Sequence, residues 1–254
     1  MRPMLAAHAR PPRRVRSKRK AAAERFPAAV PVAAAIVADV LRAVEEQRLP
    51  PGTKLSEETL ADLFGTTRAR VRHALQDLAL MHIVTLRPNR GAYVAEPTVQ
   101  DARAVFSARR MIEPALAGGL VGRLGAAQIA RLRRHVTAED TSRQQHDRHA
   151  GIKLSGEFHV ILAELAGNDV VLDIVRGLIA RSSLVIAIYK RAGSIDCGPE
   201  EHRELVEALA NGPRRQVERL MDHHLRHVEA GLMLSAPLRR GVDLRAVLRA
   251  GGAA

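Results

Sequence analysis

The chain has 254 residues, 46% of them apolar, with a formal net charge of +13 and one cysteine. That length supports a well-buried core in one or two domains, while the single Cys197 excludes a disulfide framework within the chain and suits a reducing compartment. No apolar run reaches membrane-spanning length, and the cationic N-terminus lacks the apolar core and small-residue cleavage site of a secretion signal, so no membrane partner and a cytoplasmic location are expected.

Aromatic residues make up only 2% of the chain, so the core is built from Ala, Leu, Val and Ile, which with scarce strand signals predicts a mainly α fold. Residues 1–25 carry nine Arg and Lys against one Glu, without helical or strand periodicity. A disordered basic tail is expected over 1–28, serving either as an electrostatic arm for phosphates or as a plain solvated extension.

A first helix is predicted over 31–48, with Ile36, Val37, Val40, Leu41 and Val44 on one face and Pro50-Pro51-Gly52 closing it. Ser56 is a good N-cap, Glu57 and Glu58 complement the helix dipole, Leu60, Leu63 and Phe64 form an apolar stripe, and Gly65 is a natural stop. Thr67 then caps a second helix in which Val71, Ala74, Leu75 and Leu78 face the core. Ala69, Arg72, His73 and Gln76 point away from it, with Arg68 and Arg70 on the flanks. Ile83–Arg87, the turn Pro88-Asn89-Arg90-Gly91 and Ala92–Val94 read as a β-hairpin with a basic tip. Helix, short turn, helix and hairpin make a winged helix-turn-helix over 29–97. Positions 67–91 hold Arg68, Arg70, Arg72, Arg87 and Arg90 against the single Asp77, a polarity suited to double-stranded DNA.

The run LPPGTKLSEETLADLFGTTRARVRHALQDLALMHIVTLRPNRGAYVAEP resembles the DNA-binding domain of GntR-type bacterial transcription regulators. The resemblance implies that Thr67, Arg68, Arg72 and Gly91 contact operator DNA. Arg70 stands where the family commonly has proline and His73 where it commonly has glutamate, which points to a different base preference. With the exposed tip residues, the candidate DNA-binding set is Thr67, Arg68, Arg70, Arg72, His73, Asn89, Arg90 and Gly91.

After Pro97-Thr98 the pattern is helical throughout, over 98–122 with a kink at Pro114, then 126–148, 151–166, 169–191, 199–210 and 213–234. This is an all-helical antiparallel bundle domain over 98–236, followed by a C-terminal tail over 237–254. The segment VVLDIVRGLIARSSLVIAIY is apolar nearly all round and is expected at its centre. His159, His202 and His224 fall on core-facing positions of three helices, whereas His223 and His227 sit at the flank of their seam. Such imidazoles are either hydrogen-bonded core residues or ligands of a first-row metal, commonly zinc.

The patterns Arg109-x-x-Ile112-Glu113, GEFHVILAELAGN, EHRELVEALANG and MDHHL resemble the helical ligand-binding FCD domain of the FadR-type branch. In its metal-binding members three histidines matching His159, His202 and His224 are joined by an aspartate four residues before the first. That position is Ser155 here, so a water is expected in place of the carboxylate. The resemblance implies a small carboxylate effector beside a divalent metal. Arg109 either faces that ligand or pairs with Glu113 at i+4.

Three functions follow: a dimeric, ligand-responsive transcription regulator, in which a homodimer places two recognition helices on a two-fold operator; a metal-dependent hydrolase with a DNA-binding appendage; or a coating protein using the basic tail. No H-E-x-x-H motif is present, and Glu157 projects away from the face of His159. The regulator accounts for both constellations.

Overall fold

In the computed structural model, residues 31–190 and 199–234 are described; the predicted tails over 1–28 and 237–254, and Cys197, lie outside them. Helix α1 (Val32–Glu45) forms where Ile36, Val40 and Val44 recur at four-residue spacing, and all three are buried. A two-residue strand β1 (Lys54–Leu55) leads into α2 (Glu57–Phe64), whose N-cap Ser56 accepts the Thr59 N–H and whose C-cap Gly65 takes the left-handed conformation at φ 59°. Helix α3 (Arg68–Leu80) opens on Thr67, which accepts the Arg70 N–H, and buries Val71, Ala74, Leu75 and Leu78. Strands β2 (Val84–Arg87) and β3 (Gly91–Val94) form the wing. The sheet is three-stranded and antiparallel in the order β1-β3-β2, with Lys54 opposite Tyr93 and Thr85 opposite Tyr93 on the other side.

Six helices complete the described residues: α4 (Val99–Gly118), α5 (Ala126–Gln144), α6 (Arg148–Ala166), α7 (Asp169–Tyr189), α8 (Pro199–Asn211) and α9 (Arg214–Ala230). Helix α4 runs through Pro114 and stops at Gly118-Gly119, four residues before the expected end. Helix α5 stops at Gln144, after which His146 takes φ 56° and Asp147 caps α6 by accepting the Ala150 N–H. That cap starts α6 three residues earlier than its hydrophobic pattern suggests. Helices α7 and α9 end earlier than expected, at Tyr189 and Ala230.

The main core of the bundle has Phe158, Leu162, Leu205, Leu209, Val217 and Met221 among its buried members, with smaller clusters around Phe106 and Val185 and around Ala163 and Val175. The core of the winged unit is not closed by its own residues. Ala180 and Leu184 of α7 are buried in it beside Ile36, Val40 and Leu78. Thus α7 is apolar on several sides because it packs on the winged unit as well as on α4 and α6. Its first turns expose Val170 and Ile174.

Candidate functional site

On the winged unit, Thr67, Arg68, Arg70, Arg72, His73, Asn89, Arg90 and Gly91 are all exposed, brought to one end by α3 and the hairpin. The acids of α2 reach two of the arginines. Arg72 makes a bidentate pair with Glu57, holding that carboxyl below its usual range, and Arg68 lies 3.1 Å from Glu58. His73 Nδ1 is 3.4 Å from Asp77. Asn89 at φ 56° and Gly91 at φ 93° turn the wing tip, so glycine suits position 91 where a side chain would be strained.

Arg87 is engaged differently from the other arginines of this stretch: its guanidinium lies over the Tyr93 ring and bonds Glu96 at 2.9 Å, which fastens the wing to the chain behind it. Lys54 was not legible as part of this face. Strand β1 brings its side chain beside Gly91, and no periodicity marks a strand of two residues.

In the bundle, α6, α8 and α9 bring His159, His202 and His224 together, all buried, with one ligand nitrogen from each within 4.8 Å of the others. The His224 Nε2 is 3.3 Å from the Nε2 of both His202 and His159. Metal–nitrogen bonds of about 2.0–2.1 Å at a tetrahedral angle span an edge of about 3.3 Å, so these pairs fit one first-row divalent ion. Each outer nitrogen faces a carboxylate: His159 Nδ1 lies 2.6 Å from Glu113, His202 Nδ1 2.7 Å from Glu139, and His224 Nδ1 2.6 Å from Glu201. With the Nδ1–H groups directed outward, three Nε2 lone pairs point at one another, a repulsive arrangement that a cation relieves.

Burial dominates the electrostatics. It pushes His159 down to about 3 against the pull of Glu113, and takes His202 well below the imidazole range. Glu139 is raised to about 7, also by burial. Burial opposes ionisation of Glu113 too, but Arg109 and His159 outweigh it and keep this carboxyl below its ordinary range. Glu201 is lowered to about 2 because, against burial, it accepts from both His224 and His227.

A cavity of about 380 Å³ opens onto this cluster, lined by His159, His224, Ser155, Arg109, Ser182 and Ile179 among others. Arg109 lines the cavity, and its Nε lies 2.5 Å from Glu113. Glu157 is half-buried, faces Lys153 and does not line the cavity. Of the three carboxylates, Glu113 and Glu139 carried a signal in the sequence. Glu139 continues the buried stripe of Leu132 and Val136, and Glu113 that of Phe106 and Arg109. Glu201 carried none, because its partners lie on another helix.

Comparison with known proteins bears on both halves. Residues 32–94 match the family model described as bacterial regulatory proteins, gntR family, and residues 104–227 match the FCD domain. The chain is similar to the HTH-type transcriptional repressor RspR of Escherichia coli (strain K12), 25% identical over 181 residues that cover 71% of this chain and 79% of the relative. It is also similar to the HTH-type transcriptional regulator LutR of Bacillus subtilis (strain 168), 24% identical over 208 residues, covering 73% and 94% respectively. The crystal structure of a GntR transcriptional regulator from Rhodococcus sp. RHA1 has the same fold, with a TM-score of 0.69 at 24% identity over 78% of this chain and 95% of that one.

Proposed function

The chain belongs to the bacterial GntR family, joining that family's DNA-binding domain to an FCD domain, and on that premise we propose that it is a repressor released from its operator by a small organic acid. It is a ligand-responsive DNA-binding regulator and not an enzyme. In this reading residues 29–97 bind double-stranded DNA and residues 98–236 receive the effector. Thr67, Arg68, Arg70, Arg72 and His73 enter the groove, and Asn89, Arg90 and Gly91 touch it from the wing. Repression is the sign suggested by the name of RspR.

His159, His202 and His224 would hold one divalent metal, zinc by donor type. When bound, the metal supplies a Lewis-acidic position that a carboxylate can fill. Ser155 leaves that position without a protein carboxylate, while the cavity is large enough for a metabolite of several carbons. The observation that carries the reading is the convergence of three buried Nε2 atoms at the edge of this cavity, two of whose histidines, His159 and His224, line it.

The regulator acts as a homodimer, so that two α3 helices reach half-sites about one helical turn apart. Exposed Met111 on α4 and Val170 and Ile174 on α7 offer apolar surface for such contact.

The test uses the full chain and a duplex that it selects from a random pool. Metal content is measured after gentle purification, mass by light scattering, and release from the duplex against a panel of organic acids. One zinc per chain, a dimeric mass and release by a carboxylic acid are expected. A chain that binds no metal, or holds all duplexes equally, overturns the reading.

A further inference from the structure

Of the three carboxylates around the histidines, one continues beyond the site. Glu139 and Glu201 are engaged with histidines: Glu139 faces His202 and His135, and Glu201 faces His224 and His227. Glu113 instead accepts from two of the three nitrogens of a buried guanidinium, Arg109 Nε at 2.5 Å and Nη2 at 3.3 Å, while its Oε2 lies 2.6 Å from His159 Nδ1. The remaining arm of Arg109 reaches across to α7, where Nη1 lies 3.4 Å from the hydroxyl of Ser182. Ser182 is itself fixed, donating to the Leu178 carbonyl at 2.8 Å.

What lies behind Ser182 gives this chain of contacts its meaning. Positions two residues before and after it on a helix point to the opposite side, and those positions are Ala180 and Leu184, buried in the core of the winged unit. A buried cation gripped on one side by a carboxylate and resting on a helix on the other cannot move alone, because leaving either partner strands charge in a desolvated place.

Resting on the metal-and-effector reading above, we infer that Glu113, Arg109 and Ser182 form the link through which occupancy of the histidine site reaches the DNA-binding unit, and that Glu139 and Glu201 only position their histidines. A metal drawing on His159 Nε2 makes the imidazole a stronger positive neighbour of Glu113, 2.6 Å from its Nδ1, which pulls that carboxylate toward His159, loosens its hold on Arg109 and so shifts the seat of Arg109 on α7. Helix α7 is the shared part. Its cavity face carries Ile179, Ser182 and Ser183, and its other face completes the winged core. A second route is available through α6, whose Lys153 bonds Glu46 next to the end of α1, and the experiment separates the two.

Coupling between two ligands is reciprocal, so it can be read from the metal side. Zinc affinity of the full chain is measured by competition with a chelating dye, with and without a saturating duplex selected by the wild type, and the ratio of the two constants is the coupling. Ser182→Ala removes only the hydroxyl and should keep the duplex-free zinc affinity within about twofold while bringing the ratio close to one. Arg109→Lys, which keeps the charge but cannot span both partners, should also bring the ratio close to one, whatever its effect on zinc affinity itself. Glu139→Gln and Glu201→Gln should weaken zinc yet keep the ratio, and cobalt-substituted Ser182→Ala should keep the wild-type visible absorption. A wild-type ratio of one defeats the metal-linked reading itself. A wild-type ratio different from one that survives in Ser182→Ala and Arg109→Lys, or that is lost in Lys153→Met instead, overturns the link and leaves that reading standing.

Discussion

Arg72 and Glu57 meet as a two-point pair, the arginine Nε and Nη2 lying 2.9 and 2.8 Å from the two oxygens of the carboxylate. The pair ties the first turn of α2 to the second turn of α3 on an exposed face, and it presents a guanidinium already held in a planar, two-donor geometry. The same geometry suits the edge of guanine, so the acid acts as a stand-in that duplex must displace.

From this pair follows a difference between two variants. Arg72→Ala should cut the preference for a selected duplex over random duplex by tenfold or more. Glu57→Gln should raise affinity for random duplex more than for the selected one, because a cation is freed for phosphates and a repelling charge is gone. Lys54→Ala, beside the wing glycine, should lower affinity for all sequences alike and reduce the salt slope by about one. Anisotropy titrations at several salt concentrations distinguish these outcomes; equal losses on both duplexes for Arg72→Ala would remove it from base reading.

Much of the winged unit was legible because its signals are local. Ser56, Gly65 and Thr67 are caps that act within three residues, and the stripe of α3 repeats over two turns. Strand β1 was not, since two residues define no period and its partner β3 lies far along the chain. In the bundle, helical periodicity was enough to put His159, His202 and His224 on inward faces, and the fold brings the three together. It could not say that α5 contributes Glu139 or that Glu201 reaches two histidines of α9, because those pairings depend on which helices become neighbours. The boundary near Pro97 separates the two patterns, yet Leu184 belongs to the winged core. A helix apolar on several sides reports that it is surrounded, not by what.

At Gly156, α6 packs tightly on α7. A Cβ there would lie 2.9 Å from Ile179 Cγ2, inside the contact distance of two carbons. Gly156→Ala should destabilise the chain by about 1–3 kcal/mol through overpacking, despite the better helix propensity of alanine. Paired with Ile179→Ala, which removes the Cγ2 that the new Cβ would meet, the added cost should largely vanish, so the double variant should be clearly less destabilised than the sum of the two singles. Urea denaturation of the single and double variants measures this, and a single variant as stable as the wild type would show that the two helices can separate freely.

Glu45, at the end of α1, gives a pH dependence whose sign can be worked out. Burial raises its carboxyl to about 7 from an ordinary value of 4.5; Glu157 and Glu46 add to the shift, and Lys153 and Arg176 oppose it. The folded state therefore holds this proton more tightly than the unfolded chain. The stability that this proton binding contributes is fully present below about pH 4.5 and is lost as pH rises through about 7. Glu45→Gln keeps the neutral form at every pH and should recover on the order of 1–2 kcal/mol at pH 8, allowing for partial solvation, with little gain at pH 5. Thermal midpoints of both proteins at the two pH values provide the check; equal gains at both would mean that the residue titrates as an exposed carboxylate.

The metal centre gives the last expectation. His202 lies between its two neighbours in character: its Nε2 is 3.3 Å from that of His224, its Nδ1 is on Glu139, and its ring stacks on Phe158 with centroids 4.0 Å apart. Every polar atom of this fully buried ring is thus committed, so removing it deletes a donor and leaves Glu139 facing a void. His202→Ala should abolish stoichiometric zinc. His202→Gln fills the space but offers a poor donor, and should fail in the same way while folding normally. Glu201→Gln keeps a hydrogen-bond acceptor for His224 but loses the negative charge, and should weaken zinc about 10- to 100-fold without abolishing it. If metal drives the response, chelation of the wild type and His202→Gln should give the same behaviour on DNA: duplex is still bound, and an organic acid that releases the zinc-loaded protein no longer does so. Equilibrium dialysis for zinc and anisotropy for release measure the two sides separately. Release by the same acid from a His202→Gln protein shown to be free of metal would assign the effector to the other cavity walls and reduce the histidines to polar lining.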